Sequence, residues 1–97
     1  MKKITVKLNN NDYVVRDFML NLDLTNGELL IYAFLHTKSN EGKTPVILST
    51  QSISNLTNMS PRRVVSSINN LINKGLINKK KVKEPNTNIT INEYEIL

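Results

Sequence analysis

Basic side chains are concentrated between Ser60 and Lys83, and they are the groups in this sequence best suited to chemistry. The stretch holds seven basic residues and no acidic one: Arg62, Arg63, Lys74, Lys79, Lys80, Lys81 and Lys83. The acid-free interval is wider still, because no Asp or Glu occurs between Glu41 and Glu84. A one-sided basic field is suited to binding a polyanion. The alternative is a solvated basic face that only keeps the protein in solution.

Residues for other kinds of chemistry are missing or scattered. The chain has no cysteine, which excludes disulfides, thiolate metal sites and cysteine nucleophiles. His36 is the single histidine and lies in an apolar segment, which favours a structural role over metal binding or catalysis. The three glycines, Gly27, Gly42 and Gly75, are too far apart to form a phosphate-binding loop. The sequence therefore predicts a protein that is not an enzyme and that uses no cofactor or metal.

The size and polarity of the chain limit its class. Its 97 residues, of which 39% are hydrophobic, are enough for one compact domain. No apolar run approaches the roughly 20 residues that a membrane span needs. The start, "MKKITVKL", lacks the apolar region of a signal peptide. We therefore expect a cytoplasmic protein without membrane contact.

The first half of the chain predicts an amino-terminal strand and one long helix. Residues 3–8 alternate polar and apolar side chains, as a strand does, and the "NNND" that follows is typical of a turn. Residues 13–22 fit either a second strand, which would close a hairpin, or a short helix. Thr25 and Glu28 have capping-box spacing, so a mostly buried helix should begin there and end near Ser39. A short strand is predicted in "PVIL", after the loop that follows this helix.

The second half predicts two helices in close succession. Ser49 or Thr50 caps the first of them. Ser60 caps the second, which should run over 61–74 and stop at Gly75. One face of this second helix is apolar at helical spacing and is predicted to be buried: Val64, Val65, Ile68, Leu71 and Ile72.

A two-stranded ribbon is predicted after Gly75. Its strands are expected in "LINKKKVK" and "NITINEYEI", with "EPNTN" as the turn that joins them. The side chains predicted to be buried in the ribbon are Leu76, Val82, Ile89, Ile91 and Ile96. Two helices joined by a short turn and followed by a β-hairpin form the winged helix-turn-helix arrangement.

The stretch "LSTQSISNLTNMSPRRVVSSINNLINKGLI", residues 48–77, resembles the core of a bacterial winged helix-turn-helix domain. The shared features are a Ser/Thr-capped helix, a turn, "S-x-R-x-V" opening the recognition helix, and "L-x-x-x-G-L-I" entering the wing. The upstream residues 22–50 resemble a subset of these domains. That subset occurs in plasmid replication initiators, phage replisome organisers and accessory DNA-binding proteins of conjugative plasmids. The whole resemblance covers about residues 22–96.

The resemblance implies an α+β fold: a three-helix core with a short strand and a C-terminal two-stranded wing. The amino-terminal strand or hairpin would be an extension over 1–22, beside a domain over 23–97. Initiators of this kind carry a further domain after the winged helix, whereas this sequence ends at Leu97. We therefore expect a stand-alone binder of double-stranded DNA at an origin of transfer or replication in a plasmid or phage. Transcriptional repression and partition of a mobile element are the alternatives.

In such a domain the recognition helix, here 61–74, enters the major groove. Its side chains predicted to contact DNA are Arg62, Arg63, Ser66, Asn70 and Asn73, with Ser60 at its start. Arginine can donate two hydrogen bonds to guanine, and asparagine can pair with adenine. Asn69 remains an alternative to Asn70, because an error of one residue in the helix boundary exchanges them.

The wing, 76–96, supplies the remaining predicted DNA contacts. They are Lys79, Lys80, Lys81 and Lys83 on its first strand, and Asn86, Thr87 and Asn88 at its tip. Because side chains alternate along a strand, Lys80 and Val82 should lie on the face opposite the other three lysines. The alternative role of these lysines is to keep sheet edges from aggregating.

Partners beyond DNA follow from the small footprint of one winged helix. Such domains usually bind repeats as dimers, so a homodimer is expected, with the extension over 1–22 as its contact. Other DNA-processing proteins of the same element are further expected partners. A winged helix used for protein contacts, with its basic face on an acidic partner, stays open as the second class of function.

Overall fold

Three helices pack on a three-stranded antiparallel sheet in a computed structural model that describes residues 13–84, 86 and 89–97. A 3-10 helix, Asp17–Asn21, precedes them. The α-helices are α1 (Asn26–Lys38), α2 (Thr50–Thr57) and α3 (Pro61–Asn73). The strands are β1 (Val46–Leu48), β2 (Ile77–Lys83) and β3 (Thr90–Ile96). The predicted α+β winged-helix arrangement is confirmed.

The start of α1 is fixed by the capping box that the sequence predicted. The Glu28 N–H donates to Thr25 Oγ1, and the Thr25 N–H donates to Glu28 Oε1, both at 3.3 Å. These bonds satisfy two backbone donors that a helix start would otherwise leave without partners. The helix ends at Ser39, as expected, and the Ser39 hydroxyl donates to the His36 carbonyl at 2.9 Å.

The ends of α2 and α3 also follow the predicted caps. Of the two candidates for the α2 cap, Ser49 is the one observed. The Ser60 hydroxyl accepts the Arg63 N–H at 3.2 Å, and a proline follows at the first helical position. Gly75 has φ +75°, a conformation open to glycine but strained for residues with a Cβ. The turn between α2 and α3 is closed by Asn58 in the left-handed region, at φ 57°.

Residues 13–22 wrap around the side of α1 that faces away from α3. The Tyr13 ring meets Phe34 edge-on at 6.0 Å, and the Val14 N–H donates to Thr37 Oγ1 at 2.9 Å. Met19 is 1% exposed and belongs to the main core. This packing explains why α1 is apolar almost all round: the wrapped segment covers one side of it, and α3 covers another.

The wrapped segment decides between the alternatives left open for 13–22. The helical alternative is observed over Asp17–Asn21, and the residues before it have no regular structure. The strand predicted over 3–8 and the turn after it lie outside the described residues. The division of the chain at residue 22 and its role in dimerisation remain predictions. Met19, however, ties the described part of that extension to the core of the domain.

His36 lies in an aromatic cluster on the outer side of α1. Its ring is 5.5 Å from Phe18 and 6.0 Å from Tyr32, and the residue is 9% exposed. Burial, helped by the charge of Arg16, lowers the pKa of His36 below its usual value. A neutral imidazole packed between rings supports the structural role expected for this histidine.

The strand order is β1-β3-β2, so the last strand in the chain is the central one. Tyr94 in β3 pairs with Val46 on one side and with Lys79 on the other. Tyr94 and Ile77 are each 1% exposed and attach the sheet to the helices. The predicted burial of Ile89 is wrong, because that residue precedes β3 near the wing tip and is 61% exposed.

Candidate nucleic-acid interface

The rotation of α3 about its axis decides which of its side chains are available to a ligand. Its buried residues are Val64, Ser67, Ile68 and Leu71. At about 100° per residue, the positions furthest from this buried face form one exposed row. That row consists of Arg62, Ser66, Asn69 and Asn73. Arginine and two asparagines on one face can donate to and accept from base edges in a major groove.

The predicted core face of α3 is wrong at one position, and the error rotates the helix. Val65 was expected to be buried but is 44% exposed, whereas Ser67 is 7% exposed. Exchanging Val65 for Ser67 turns the buried face by about 50° at helical spacing. The physical cause is Gly27 in α1, which has no side chain at the contact. A Cβ at Gly27 would lie 3.1 Å from Ser67 Oγ, so glycine allows α1 and α3 to approach closely.

Two of the predicted contact residues turn towards α1 as a result. Asn70 donates from Nδ2 to Glu28 Oε2 at 3.0 Å, so its amide is tied to the helix contact. The Arg63 guanidinium lies over the first turn of α1, 3.2 Å from where a Gly27 Cβ would be. Asn69 takes the outward position instead of Asn70. Ser60, used as a cap, remains exposed beside Arg62.

Glu28 is the centre of a polar network between α1 and α3 that the sequence did not reveal. The carboxylate is 4% exposed and accepts the Lys74 ammonium at 2.7 Å as well as the Asn70 amide. Lys74 also donates to the Asp23 carbonyl at 2.8 Å. The bond from Lys74 is the main cause of a lowered pKa for Glu28, opposed by burial and assisted by Asn70. The network fixes α3 against α1 and thereby its exposed row.

Replacing Glu28 with glutamine should lower the free energy of unfolding by about 1–3 kcal/mol at neutral pH, because a charge-assisted bond to Lys74 is lost. The lowered folded-state pKa means that this stabilisation is present above the ordinary value of 4.5. It is lost as the pH falls through the folded-state pKa. Urea unfolding at several pH values should therefore show the native and Glu28→Gln curves converging in acid. Glu95→Gln, at an exposed site, is the control; an equal loss there would contradict the assignment.

The ribbon formed by β2 and β3 has two chemically different faces. Directly paired residues share a face, and the register pairs Lys79 with Tyr94, Lys81 with Asn92 and Lys83 with Thr90. The three lysines are exposed and lie on the face whose base, at Ile77 and Tyr94, packs on the helices. The sequence places no acidic residue on this face of either strand.

The opposite face of the ribbon carries its acidic residues. Lys80 pairs with Glu93 across the strands, and their side chains form an ion pair at 3.0 Å. Glu95 lies on the same face, because it alternates with Tyr94. The predicted separation of Lys80 and Val82 from the other three lysines is confirmed by the register. Lys80 was proposed with them as a DNA contact, but the fold gives it a carboxylate partner on the other side.

The tip of the wing is described in part. Asn86 is exposed and has φ 66°, the left-handed conformation that asparagine tolerates in tight turns. Thr87 and Asn88, predicted as further contacts, lie outside the described residues. Asn86 is therefore the single predicted tip contact whose position is known.

The described residues show neither a metal cluster nor a membrane span. No group of three or more His, Asp or Glu side chains among them could hold a metal ion. None of the helices in the described ranges has the length and apolar character to cross a bilayer.

Comparison with known proteins gives one match. A family model described as a helix-turn-helix domain matches residues 22–77, which run from the residue before Asp23 to the first residue of β2. Neither a curated protein nor a solved structure matches the chain. The match covers α1, β1, α2 and α3, and it leaves the rest of the wing outside.

Proposed function

The chain belongs to the helix-turn-helix domain family, and from that premise we propose that it binds double-stranded DNA sequence-specifically and is not an enzyme. In this proposal α3 enters the major groove, and the ribbon lies along the sugar-phosphate backbone. The single observation that carries it is the sorting of charge on the ribbon. Three lysines share one face with polar and apolar neighbours, whereas the glutamates of β3 lie on the other.

The sorting of charge favours nucleic acid over a generally solvated surface. A ribbon whose lysines served only solubility would have no reason to separate them from Glu93 and Glu95. A phosphate backbone does require this, because an acidic side chain within the contact would repel it. The sorting argues less strongly against an acidic protein as the partner than against a solvated surface. Binding to DNA and binding to an acidic protein would both weaken with salt, so salt dependence alone does not distinguish these two partners. Sequence preference does.

Base recognition is assigned to the exposed row of α3. Arg62 lies in the first turn, where recognition helices approach base edges, and is suited to guanine O6 and N7. Asn69 and Asn73 are one turn apart on the same side and are suited to adenine N6 and N7. The row differs from the set expected from the sequence, because it contains Asn69 in place of Asn70 and omits Arg63.

The process served is a finer proposal that rests on the resemblance of the sequence to plasmid and phage DNA-binding proteins. We assign the protein to repeats at an origin of transfer or replication, bound as a homodimer in the cytoplasm. Other DNA-processing proteins of the same element would act beside it. Repression and partition by a mobile element use the same duplex contact, and the spacing of the bound repeats distinguishes the geometries.

Selection of bound sequences from a random duplex pool tests the proposal. The native protein should enrich one motif, and its repeat spacing should give the geometry of the dimer. Arg62→Ala should lose discrimination at one base pair, by roughly 5- to 150-fold, because one bidentate contact is removed. Lys43→Ala removes one exposed positive charge in the loop after α1 and should retain the motif. Enrichment of no sequence by the native protein would overturn the proposal.

A further inference from the structure

A groove runs between the first turn of α1 and the exposed side of α3. Asn26 and Gly27 form one wall, and Arg62, Arg63, Ser66 and Ser67 form the other. It adjoins the base-reading row, because Arg62 and Ser66 belong to both, whereas Arg63 and Ser67 lie on the side of α3 turned towards α1. The ribbon does not contribute to it. Base recognition gives no role to the remaining part of the groove, which is lined by Arg63, Ser67 and the first turn of α1.

The charges around the groove call for an anion. The first N–H groups of α1, at Asn26 and Gly27, have no acceptor inside the helix and give its start a partial positive charge. The Arg63 guanidinium lies over this same turn, so two positive groups face each other. Neither Arg62 nor Arg63 is among the ion pairs of the described residues. Glu28 also lines the groove, but its carboxylate already accepts Lys74, Asn70 and the Thr25 N–H.

Ser67 is the second, independent sign of a ligand. The residue is 7% exposed and lines the groove, with its hydroxyl close to the first turn of α1. Among the described residues, none forms a hydrogen bond with this hydroxyl. No fully enclosed side-chain oxygen or nitrogen in the described ranges lacks a partner, so the Ser67 hydroxyl keeps access to the groove. The hydroxyl is therefore free to donate to a group that enters the groove.

We propose that this groove binds a phosphate group of the DNA backbone, held between the start of α1, the Arg63 guanidinium and the Ser67 hydroxyl. The inference rests on the proposed function and assigns Arg63 to a backbone contact, not a base contact. A phosphodiester has two unesterified oxygens. One can accept from the N–H groups of α1, and the other from Arg63. Gly27 then has a double role, since its missing Cβ permits both the helix contact and the approach of the phosphate.

A scan of the selected duplex with neutral methylphosphonate linkages, one at a time, tests the assignment. Native protein should lose about tenfold in affinity at one linkage per half-site, the effect of removing one phosphate contact near 0.1 M salt. Arg63→Gln should bind all duplexes about tenfold more weakly, with a salt slope reduced by roughly 0.9. It should also be insensitive to that linkage and keep the native base preference. Arg63 is exposed, so this variant should fold.

Matched variants separate the groove from general charge. Lys43→Gln removes one exposed charge elsewhere and should keep the sensitivity to the special linkage. Gly27→Ala places a methyl group against Ser67 and Arg63 and should abolish that sensitivity, with folding checked by thermal unfolding. The proposal would be overturned if the Arg63→Gln variant remained sensitive to the linkage or preferred a different base.

Failure of DNA binding as a whole is distinguished by a second probe. If the native protein binds no duplex, the proposed function fails, and inorganic phosphate is titrated while amide resonances are followed by NMR. Resonance shifts at Asn26, Gly27 and Ser67 that are absent in Arg63→Gln would mean that the groove binds free phosphate and not the DNA backbone. Absence of such shifts at millimolar phosphate would overturn the site as well.

Discussion

Replacing Lys79, Lys81 and Lys83 together with alanine is expected to weaken duplex binding by about a hundred-fold or more near 0.1 M salt. The three lysines share the one ribbon face that has no acidic residue, so each can neutralise a phosphate. Each neutralised phosphate contributes about 0.9 to the slope of log affinity against log salt. The slope should therefore fall by roughly 2–3. Fluorescence anisotropy with the selected duplex at four or five salt concentrations measures both quantities.

Lys80→Ala is the matched control for the lysine triple variant. It removes the same side chain from the same strand, but on the face where Lys80 pairs with Glu93. We expect less than a threefold change in affinity and a nearly unchanged salt slope. An effect of Lys80→Ala as large as one third of the triple variant's loss, on a logarithmic scale, would show that the ribbon does not bind through a single face.

Replacing Tyr94 with alanine is expected to lower the free energy of unfolding by about 3–5 kcal/mol, as for other large aromatic side chains removed from a core. Tyr94 is 1% exposed, belongs to the central strand, and has strand neighbours on both sides at Val46 and Lys79. In a domain of this size the melting temperature should fall by roughly 15–30 °C. Thermal unfolding followed by circular dichroism gives the value.

Tyr94→Phe keeps the ring and removes the hydroxyl that accepts the Asn92 amide at 3.1 Å. We expect a loss of about 1 kcal/mol, the usual net value of one hydrogen bond. The gap between the two variants is therefore the contribution of ring packing. Equal effects of Tyr94→Phe and Tyr94→Ala would mean that the hydroxyl, not the ring, holds the sheet to the helices.

The helix boundaries could be predicted because local chemistry sets them. The helix starts are set by caps that accept backbone N–H groups a few residues away, at Thr25 and Ser60. The end of α3 is set by Gly75, whose positive φ ends the helix. No distant part of the chain is needed to recognise them. For the same reason the two strands after Gly75 could be placed from their alternation and the turn between them.

The rotation of α3 could not be predicted, because a contact distant in sequence decides it. Hydropathy assigns Val65 to the core and Ser67 to the surface, and the structure reverses both. The reversal depends on Gly27, about forty positions earlier in the chain. The Glu28 network, which ties down Asn70, is likewise formed between residues far apart in sequence. The outward-facing residues of α3 chosen from periodicity alone therefore included Asn70, whereas Asn69 holds the outward position in the structure.

The packing of residues 13–22 on α1 could not be predicted from local sequence either. Residues 13–22 fit either a strand or a short helix from their sequence, and within them the structure has a short helix at Asp17–Asn21. They bury Met19 and cover the outer rings of α1. In the ribbon, Ile77 and Tyr94 are buried, while Ile89, an isoleucine like Ile77, lies at the wing end and is exposed. Position relative to the helices, not hydropathy, decides which strand residues are buried.

Because β3 is the central strand, the sheet cannot form in a chain that is still incomplete during synthesis. The ribosome releases α1, β1, α2, α3 and β2 before the strand that pairs with both β1 and β2. Until β3 emerges, Ile77 and Val46 have no sheet to join, and the lysines of β2 lie on an unpaired segment. A nascent or prematurely terminated chain therefore cannot present the two-faced ribbon.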